Sequence, residues 1–253
     1  METLLEIRDL SKQFNKKSVL NSVSFDIRKG EFLSILGSSG CGKTTLLRIL
    51  IGIEKMTSGN IYKGDVVLND VHPSLRNMGI VFQNYSLFPN MTVLDNVMYA
   101  LNAKIKNKEM AKAESLKILD KVGMSENINK KPHQLSGGQQ QRVAIARTLV
   151  LNPDIILFDE PLSALDSDNR LNLRKEFKRI QKEFNVTMIY VTHDQEEAFS
   201  LSDRVMVMSE GNIEQLGTPQ EIYHHPANDY VRSFVKEHLD DKVRLIEDNI
   251  KVN

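Results

Sequence analysis

The chain is poor in cysteine. Its 253 residues include a single one, Cys41. One thiol cannot form an intrachain disulfide framework, and it cannot supply the several cysteines that structural zinc sites use. Scarce cysteine is typical of proteins from a reducing compartment. The length suits one large domain or two small ones, so we expect stability to come from an ordinary apolar core.

The chain also lacks any long apolar run. No stretch approaches the roughly 18 to 20 apolar residues that a membrane-spanning helix needs. The N-terminus METLLEIRDLSKQF carries charges at Glu2, Glu6, Arg8 and Asp9 and has no uninterrupted apolar core of the signal-peptide type. We therefore expect a protein that is soluble unless a partner brings it to a membrane.

The chain has no excess of positive or negative charge. Lys and Arg together number 33, and so do Asp and Glu, which gives a formal net charge of zero. This balance argues weakly against bulk electrostatic binding of nucleic acid or anionic lipid. We also find no internal repeat and no low-complexity tract.

Short apolar runs alternate with helical patterns along most of the chain. Strand-like runs occur at residues 4–10, 23–27, 32–36, 66–68, 78–82, 154–158, 187–191 and 204–208, and helical patterns at 44–52, 92–151 and 169–184. This alternation predicts an α/β fold with a mainly parallel sheet. The simplest layout is one domain over residues 1–237 with a helical insertion at about 84–151. The charged tail 238–253 is expected to be loosely ordered.

Residues 37–44, GSSGCGKT, match the phosphate-binding pattern G-x-x-x-x-G-K-[ST] without a mismatch. The glycines allow a tight turn that aims backbone N–H groups inward, and the following helix presents its positive end to an anion. Lys43 can reach terminal phosphates, and the Thr44 hydroxyl can bind Mg²⁺. A strand-like run precedes the loop and a helical pattern follows it, which favours a nucleotide site over a glycine-rich turn with an incidental lysine.

Two carboxylates follow a second apolar run, in the sequence IILFDE ending at Asp159 and Glu160. Ligands of such sheets bind beyond the carboxyl ends of the strands. Asp159 would then lie near the magnesium ion, and Glu160 could accept a proton from an attacking water. The alternative is a solvated pair of turn residues.

The sequence LSGGQ, residues 135–139, precedes the helical run QQQRVAIARTLV. By itself it indicates a capped helix N-terminus that favours anions. Together with the phosphate loop before it and Asp159-Glu160 about 20 residues after it, LSGGQ resembles the signature of ATP-binding cassette (ABC) ATPases. The resemblance runs over residues 3–237. It implies a P-loop NTPase core with a mainly parallel sheet, an N-terminal antiparallel β subdomain and an inserted α-helical subdomain.

Four further positions match this family by their context. Phe14 resembles the aromatic residue that stacks on adenine, although a core phenylalanine would look the same in sequence. Gln83, in IVFQNYSLFP, resembles the glutamine that senses magnesium and the attacking water. The segment SALD, residues 163–166, resembles a loop that crosses the dimer interface. His193, in IYVTHDQEEA, resembles the switch histidine at the γ-phosphate, although a lone histidine after a strand is more often structural.

The resemblance thus implies a complete set of site residues for ATP and Mg²⁺. The catalytic residues would be Lys43, Gln83, Glu160 and His193. The magnesium ligands would be Thr44, Gln83 and Asp159. The nucleotide would be bound by Phe14, Val19, Gly37, Ser38, Ser39, Gly40, Cys41, Gly42, Lys43, Thr44, Thr45 and Gln83 of one chain, and by Ser136, Gly137, Gly138, Gln139 and Asp166 of a second copy.

The resemblance implies a second copy because, in this family, LSGGQ contacts the nucleotide bound by the partner chain and not the one bound by its own chain. The resemblance implies a head-to-tail pair in which Ser136 of one chain faces the ATP held by Lys43 of the other. ATP would then join the two chains and hydrolysis would release them, which is a two-state element biased by a ligand.

Three kinds of cassette compete: the ATPase subunit of a membrane importer, that of an exporter, and a non-transport ATPase acting on a macromolecular complex. The segments FQNYSLFPNMTVLDNV and GTPQEIYHHPANDYV resemble importer subunits for sugars, polyamines, ferric iron, phosphonates or osmolytes. The segment 83–97 is where such subunits dock their membrane partner. Leu87, Phe88 and Met91 would line that groove or pack in the core.

The importer resemblance implies further partners and a location. The partners would be integral membrane permease subunits, a second copy of the chain and an extracytoplasmic solute-binding protein, without nucleic acid. The location would be the cytoplasmic face of the cell membrane. Many members of the sugar, polyamine and iron group carry an additional C-terminal regulatory domain. Residues 238–253 are too few for one, so we expect either no regulation of that kind or a truncated chain.

Overall fold

The computed structural model describes residues 2–105, 107–162 and 167–251. The described strands are β1 (Thr3–Phe14), β2 (Lys17–Arg28), β3 (Phe32–Gly37), β4 (Ser58–Lys63), β5 (Val66–Val67), β6 (Met78–Val81), β7 (Ile155–Asp159), β8 (Thr187–Thr192), β9 (Arg204–Ser209) and β10 (Asn212–Gly217). The described helices are α1 (Lys43–Ile51), α2 (Val93–Asn102), α3 (Lys108–Lys121), α4 (Gly137–Leu149), α5 (Ser167–Phe184), α6 (Gln195–Leu201), α7 (Pro219–His224), α8 (Asp229–Val231) and α9 (His238–Lys251).

The chain divides into two compact units. The first unit comprises Met1–His72 and Ile189–Asn253, and the second comprises Pro73–Met188. The division falls within β8. None of the helices in the described part of the chain is both long and apolar enough to span a membrane.

The first unit contains an antiparallel sheet with the strand order β2-β1-β4-β5. Ile7 in the middle of β1 lies opposite Phe25 of β2 on one side and Ile61 of β4 on the other. All three side chains are buried. The alternation of apolar and polar residues that predicts residues 4–10 as a strand therefore marks the inner face of this sheet.

A second set of strands in the first unit leads to the phosphate loop. Strand β3 pairs in parallel with β9, and β9 forms an antiparallel hairpin with β10. Every residue of β3 is buried, as is typical of a parallel strand covered on both faces. Helix α1 begins six residues after β3 ends.

The second unit contains the parallel pair β6 and β7 and the helices α2 to α5. Helices α2 to α4 lie between β6 and β7 in the sequence, and a Cβ atom at Gly79 would lie 2.0 Å from Thr148 Cγ2, so β6 packs directly on α4. The rings of Phe158 and Phe177 join β7 to α5, with centroids 4.9 Å apart. These parallel pairs, the antiparallel N-terminal sheet and the inserted helices confirm the predicted fold class.

The predicted loose order of the C-terminal tail is wrong, because residues 238–251 form α9. Leu239 packs against a buried cluster of the first unit that includes Val205, Val207 and Ile222. Leu239, Val243 and Ile246 recur at helical spacing. The many charges between them hid this periodicity in the sequence.

Candidate functional site

The phosphate loop leaves β3 at a position that only glycine can occupy. A Cβ atom at Gly37 would lie 2.4 Å from the Met208 carbonyl oxygen and 2.7 Å from Cys41 Sγ. Met208 pairs with Gly37 in the parallel ladder of β3 and β9. The loop therefore starts in contact with the neighbouring strand, and a methyl group there would force the backbone to move.

Gly42 sets the start of α1. Its φ of 108° lies in the left-handed region that glycine tolerates. A Cβ atom there would lie 2.8 Å from both the Val19 carbonyl oxygen and Leu20 Cδ2, which places Val19 beside the loop. Gly42 is the N-cap residue and has no side chain with which to cap the helix. The first N–H groups of a helix lack partners within the helix, so the start of α1 can receive an anion.

The side chain of Lys43 folds back onto the phosphate loop. Its ammonium donates hydrogen bonds to the carbonyl oxygens of Gly37, at 2.7 Å, and Ser38, at 2.9 Å. The residue is only 4% exposed, whereas Ser38, Ser39 and Gly40 are exposed. The ammonium thus neutralises two carbonyl dipoles that point into the loop. An arriving phosphate group would compete with these carbonyls for the same N–H donors.

Cys41 lies on the inner side of the same loop, 3.9 Å from Lys43 Nζ. Burial raises the pKa of its thiol, against the opposing effect of the Lys43 ammonium. The backbone N–H of Gly211, in the turn between β9 and β10, donates to the Cys41 carbonyl oxygen at 3.1 Å. Thr44 and Thr45, the next residues of α1, are partly buried.

Phe14 is a surface residue. It ends β1, is 43% exposed, and precedes a turn in which Asn15 and Lys16 have φ values of 46° and 70°. The ammonium of Lys12 lies 4.4 Å from the centroid of its ring. This excludes the alternative of a core phenylalanine and leaves ring surface for a ligand.

His193 is exposed and follows β8. The segment around it is braced by the buried Glu197 of α6, whose carboxylate accepts hydrogen bonds from the hydroxyls of Tyr190, at 2.8 Å, and Thr192, at 2.9 Å. Asp194 caps α6 by accepting from the Glu197 N–H at 3.0 Å. The backbone next to His193 is thus held on both sides.

In the second unit, Gln83 is exposed just beyond β6. Tyr85 and Ser86 follow with φ values of 59° and 46°, which are uncommon for residues other than glycine. The guanidinium of Arg147, on α4, donates to both of their carbonyl oxygens, at 3.0 and 2.7 Å. This bidentate contact holds the unusual backbone after Gln83 in place.

The next residues are held by Asn96 of α2, which is fully buried. Its side chain accepts from the Phe88 N–H at 2.8 Å and donates to the carbonyl oxygens of Phe88, Met91 and Thr92. Leu87 and Met91 are partly buried, but Phe88 is 36% exposed and Tyr99 is 54% exposed. Their ring centroids lie 4.6 Å apart, so the two aromatic rings form one exposed apolar patch.

Asp159 ends β7, and Glu160 follows it with a φ of 47°. Both residues are partly buried. A left-handed backbone costs free energy for a residue with a Cβ atom.

Ser136 is the N-cap residue of α4. Its hydroxyl accepts from the Gln139 N–H at 3.3 Å, and the Gln139 side chain accepts from the Ser136 N–H at 3.0 Å. This is a complete capping box. Ser136 is exposed, and Gly137 and Gly138 are partly buried in the first turn.

The structure therefore brings Val19, Gly37, Cys41 and Lys43 together in the first unit, and Ser136 and Gln139 in the second. Asp166 and the rest of the segment 163–166 lie outside the described residues. Four residues that hold this machinery were not predicted, namely Lys12, Asn96, Arg147 and Glu197. Asn96, Arg147 and Glu197 lie within segments quoted above for their resemblance to the family, but the sequence assigns them no role, because their roles depend on hydrogen bonds seen only in the fold.

The chain is similar to known proteins both in sequence and in fold. The family model described as ABC transporter matches residues 20–163. The spermidine/putrescine import ATP-binding protein of Marinobacter nauticus is 50% identical over 236 residues, which cover 93% of this chain and 63% of that protein. The Fe(3+) ions import ATP-binding protein of Fusobacterium nucleatum subsp. nucleatum is 46% identical over 235 residues, again 93% and 63% of the two lengths.

A solved structure, the dimeric post-hydrolysis state of an ATP-binding cassette bound to ADP and Pi, superimposes with a TM-score of 0.74 at 34% identity. The match covers 85% of this chain and 98% of that one. The chain spans about three fifths of the length of the two curated relatives. The family model covers more than half of the chain and the two relatives nearly all of it, so the chain belongs to the ABC transporter family.

Proposed function

We propose that this chain binds and hydrolyses ATP as the nucleotide-binding subunit of an ABC importer. The observation that carries the proposal is the start of α1. The helix begins at a left-handed glycine without a side-chain cap, and the ammonium of Lys43 lies in the loop before it. The start of a helix together with a lysine suits the phosphates of a nucleotide.

The residues present fit a magnesium ion as well. Mg²⁺ is usually bound through one or two carboxylates together with substrate phosphates. Asp159 ends β7 partly exposed, and Thr44 stands in the first turn of α1 next to Lys43. We assign Thr44, Gln83 and Asp159 as its ligands. When bound, the ion would neutralise charge on the phosphates.

Hydrolysis would proceed by attack of a water oxygen on the γ-phosphorus of ATP. The bond between that phosphorus and the oxygen bridging to the β-phosphate breaks, which yields ADP and inorganic phosphate. We assign Glu160 as the acceptor of the water proton and His193 and Lys43 as groups that stabilise the γ-phosphate. Phe14 would stack on the adenine.

The second half of each site would come from a second copy. Ser136, Gly137, Gly138, Gln139 and Asp166 would contact the nucleotide of the partner chain, so Lys43 and Ser136 of one molecule serve different nucleotides. The dimeric state of the structural neighbour, bound to ADP and Pi, supports this arrangement. ATP would join the two chains, and its hydrolysis would separate them.

The aromatic patch formed by Phe88 and Tyr99 is the surface that we assign to the permease. It is exposed, and Asn96 and Arg147 fix the backbone that leads to it from Gln83. A movement at Gln83 would therefore pass to the patch through a fixed segment. Large exposed aromatic residues are typical of interaction sites.

The names of the relatives support import over export. They concern spermidine/putrescine in one case and Fe(3+) ions in the other. Among the five candidate solutes we therefore favour polyamine and ferric iron over sugars, phosphonates and osmolytes. In such a system the chain would lie at the cytoplasmic face of the membrane, and an extracytoplasmic binding protein would deliver the solute.

The test is the substitution Glu160→Gln, which preserves shape but removes the base. We expect the rate of ATP hydrolysis to fall by about a hundredfold or more, with ATP affinity retained and an ATP-bound dimer accumulating on size exclusion. Glu210→Gln is the matched control, because Glu210 has a φ of 46° like that of Glu160 but lies in the exposed turn after β9. Near-normal phosphate release from Glu160→Gln would contradict the assignment.

A second experiment concerns the aromatic patch. The chain is purified from its native membranes with and without the substitution Phe88→Asp. Integral membrane proteins should accompany the wild-type chain and be lost with the variant. Co-purification of a ribosome or DNA instead would overturn the transport proposal.

A further inference from the structure

Lys12 is a buried cation next to the exposed ring of Phe14. The residue is 8% exposed, which is unusual for lysine. Its ammonium donates to Glu54 Oε1 at 2.5 Å and to the Lys55 carbonyl oxygen at 2.6 Å. The face of the Phe14 ring, 4.4 Å away at its centroid, is its third neighbour. Since an ammonium has three N–H donors, these contacts account for all of them.

The partners of Lys12 are themselves fixed. Glu54 follows the end of α1, where its N–H donates to the Arg48 carbonyl oxygen at 3.1 Å. The segment after it is tied to β1, because the Thr57 N–H donates to the Ser11 carbonyl oxygen at 2.8 Å. Lys12 thus lies between the C-terminal end of the helix that starts at the phosphate loop and the strand that ends at Phe14.

One face of the Phe14 ring is therefore occupied by the ammonium, and its exposed surface must lie on the opposite face and the edges. An ammonium over a ring face is attracted by the ring quadrupole and restricts how the ring can tilt. An exposed phenylalanine at the end of a hairpin would otherwise exchange among its rotamers. A planar base could then stack on the open face of the Phe14 ring without first reorienting that ring.

We infer that Lys12 is a positioning residue that orients Phe14 to stack on the adenine of ATP. The inference rests on the proposed function. Lys12 touches neither the base nor the phosphates in this role; it acts only through the ring. By holding the ring, Lys12 reduces the entropy lost when a base stacks on Phe14. Loss of Lys12 should therefore weaken the affinity for ligands that carry a base and leave the affinity for ligands without a base unchanged.

The experiment measures binding of ATP and of inorganic tripolyphosphate by calorimetry, with the full chain. We expect Lys12→Met to weaken ATP binding about fivefold, the size of a partly desolvated cation–π contact, and to leave tripolyphosphate binding unchanged. In a Phe14→Ala background, Lys12→Met should have no further effect on ATP. Lys12→Arg keeps the cation and should recover most of the affinity.

Lys55→Met is the matched control, because the Lys55 side chain is exposed in the same segment; it should bind both ligands like the wild type. Equal weakening of ATP and tripolyphosphate by Lys12→Met would overturn the inference, and so would an undiminished effect in the Phe14→Ala background, or none at all. A wild-type chain that binds no ATP would overturn the proposed function and the inference with it.

Discussion

Two helices of this protein begin with glycine-rich segments, and they begin differently. Helix α1 starts at Gly42 with no side-chain cap, whereas α4 starts at Ser136 with a complete capping box. The loop before α1 contacts β9 and the turn after it so closely that Gly37 has no room for a Cβ atom. The start of α4 is exposed, and a Cβ atom at Gly138 would meet nothing closer than 3.7 Å.

The two helices differ in whether the N-cap residue supplies a capping side chain. At the start of α4, the N–H groups of Ser136 and Gln139 are each accepted by the side chain of the other residue, so this cap forms without a ligand. The N-cap residue of α1, Gly42, has no side chain with which to form such a cap, and the start of this helix suits a bound anion. A site shared between two chains fits this contrast, since the trans contribution must be stable in the monomer.

The largest expected effect comes from filling the close approach at Gly37. The substitution Gly37→Ala places a methyl group 2.4 Å from the Met208 carbonyl oxygen. We expect the free energy of unfolding to fall by about 3 kcal/mol and the melting temperature by about 6 to 12 °C, with loss of ATP binding. Scanning calorimetry and a binding titration measure both.

The same substitution in the signature should separate binding from pairing. Gly138→Ala has room for its methyl group, and alanine is the better helix former, so the free energy of unfolding should stay equal or rise by up to about 1 kcal/mol. ATP binding by the single chain should persist while ATP-dependent dimers disappear. If Gly138→Ala lost ATP binding in the monomer, the contrast between the two helices would fail.

A smaller effect is expected from the cap of α4. Ser136→Ala removes the acceptor for the Gln139 N–H and should cost about 1 kcal/mol, or about 2 to 4 °C in melting temperature. Ser136→Asn can restore a cap and with it the stability. If the serine hydroxyl also serves the partner's nucleotide, the asparagine variant will remain defective in ATP-dependent dimerisation.

The smallest effect concerns the thiol of the phosphate loop. Because burial raises the pKa of Cys41, its reactive thiolate is scarce near neutral pH and becomes more abundant as the pH rises. Iodoacetamide should therefore alkylate Cys41 at least about tenfold more slowly than free glutathione at pH 8. Mass spectrometry follows the reaction, and alkylation as fast as that of glutathione would show that the loop is open.

The sequence allowed prediction of the features that depend on neighbouring residues. The pattern of residues 37–44 predicted the loop, the serine before a helical run predicted the cap of α4, and the apolar run before Asp159 predicted β7. These depend on local backbone preferences, which a short stretch contains in full.

Other features depend on pairs of residues that the sequence does not connect. Lys12 and Glu54 are 42 residues apart, and Arg147 reaches carbonyl oxygens 61 and 62 residues away. The partners of Asn96 and Glu197 are only four to eight residues away, but no pattern in the sequence indicates that these polar side chains are buried. Composition misled in one case, because the charges of residues 238–251 concealed a helix.

Position 160 has two requirements that no single residue type meets well, a left-handed backbone and a carboxylate. Its φ of 47° suits glycine, and the residue before a proline, here Pro161, is already restricted. A glycine would relax that conformation but would bring no carboxylate. The chain keeps a less stable turn where its proposed chemistry needs an acid, so at this position a gain in stability and a gain in activity exclude each other.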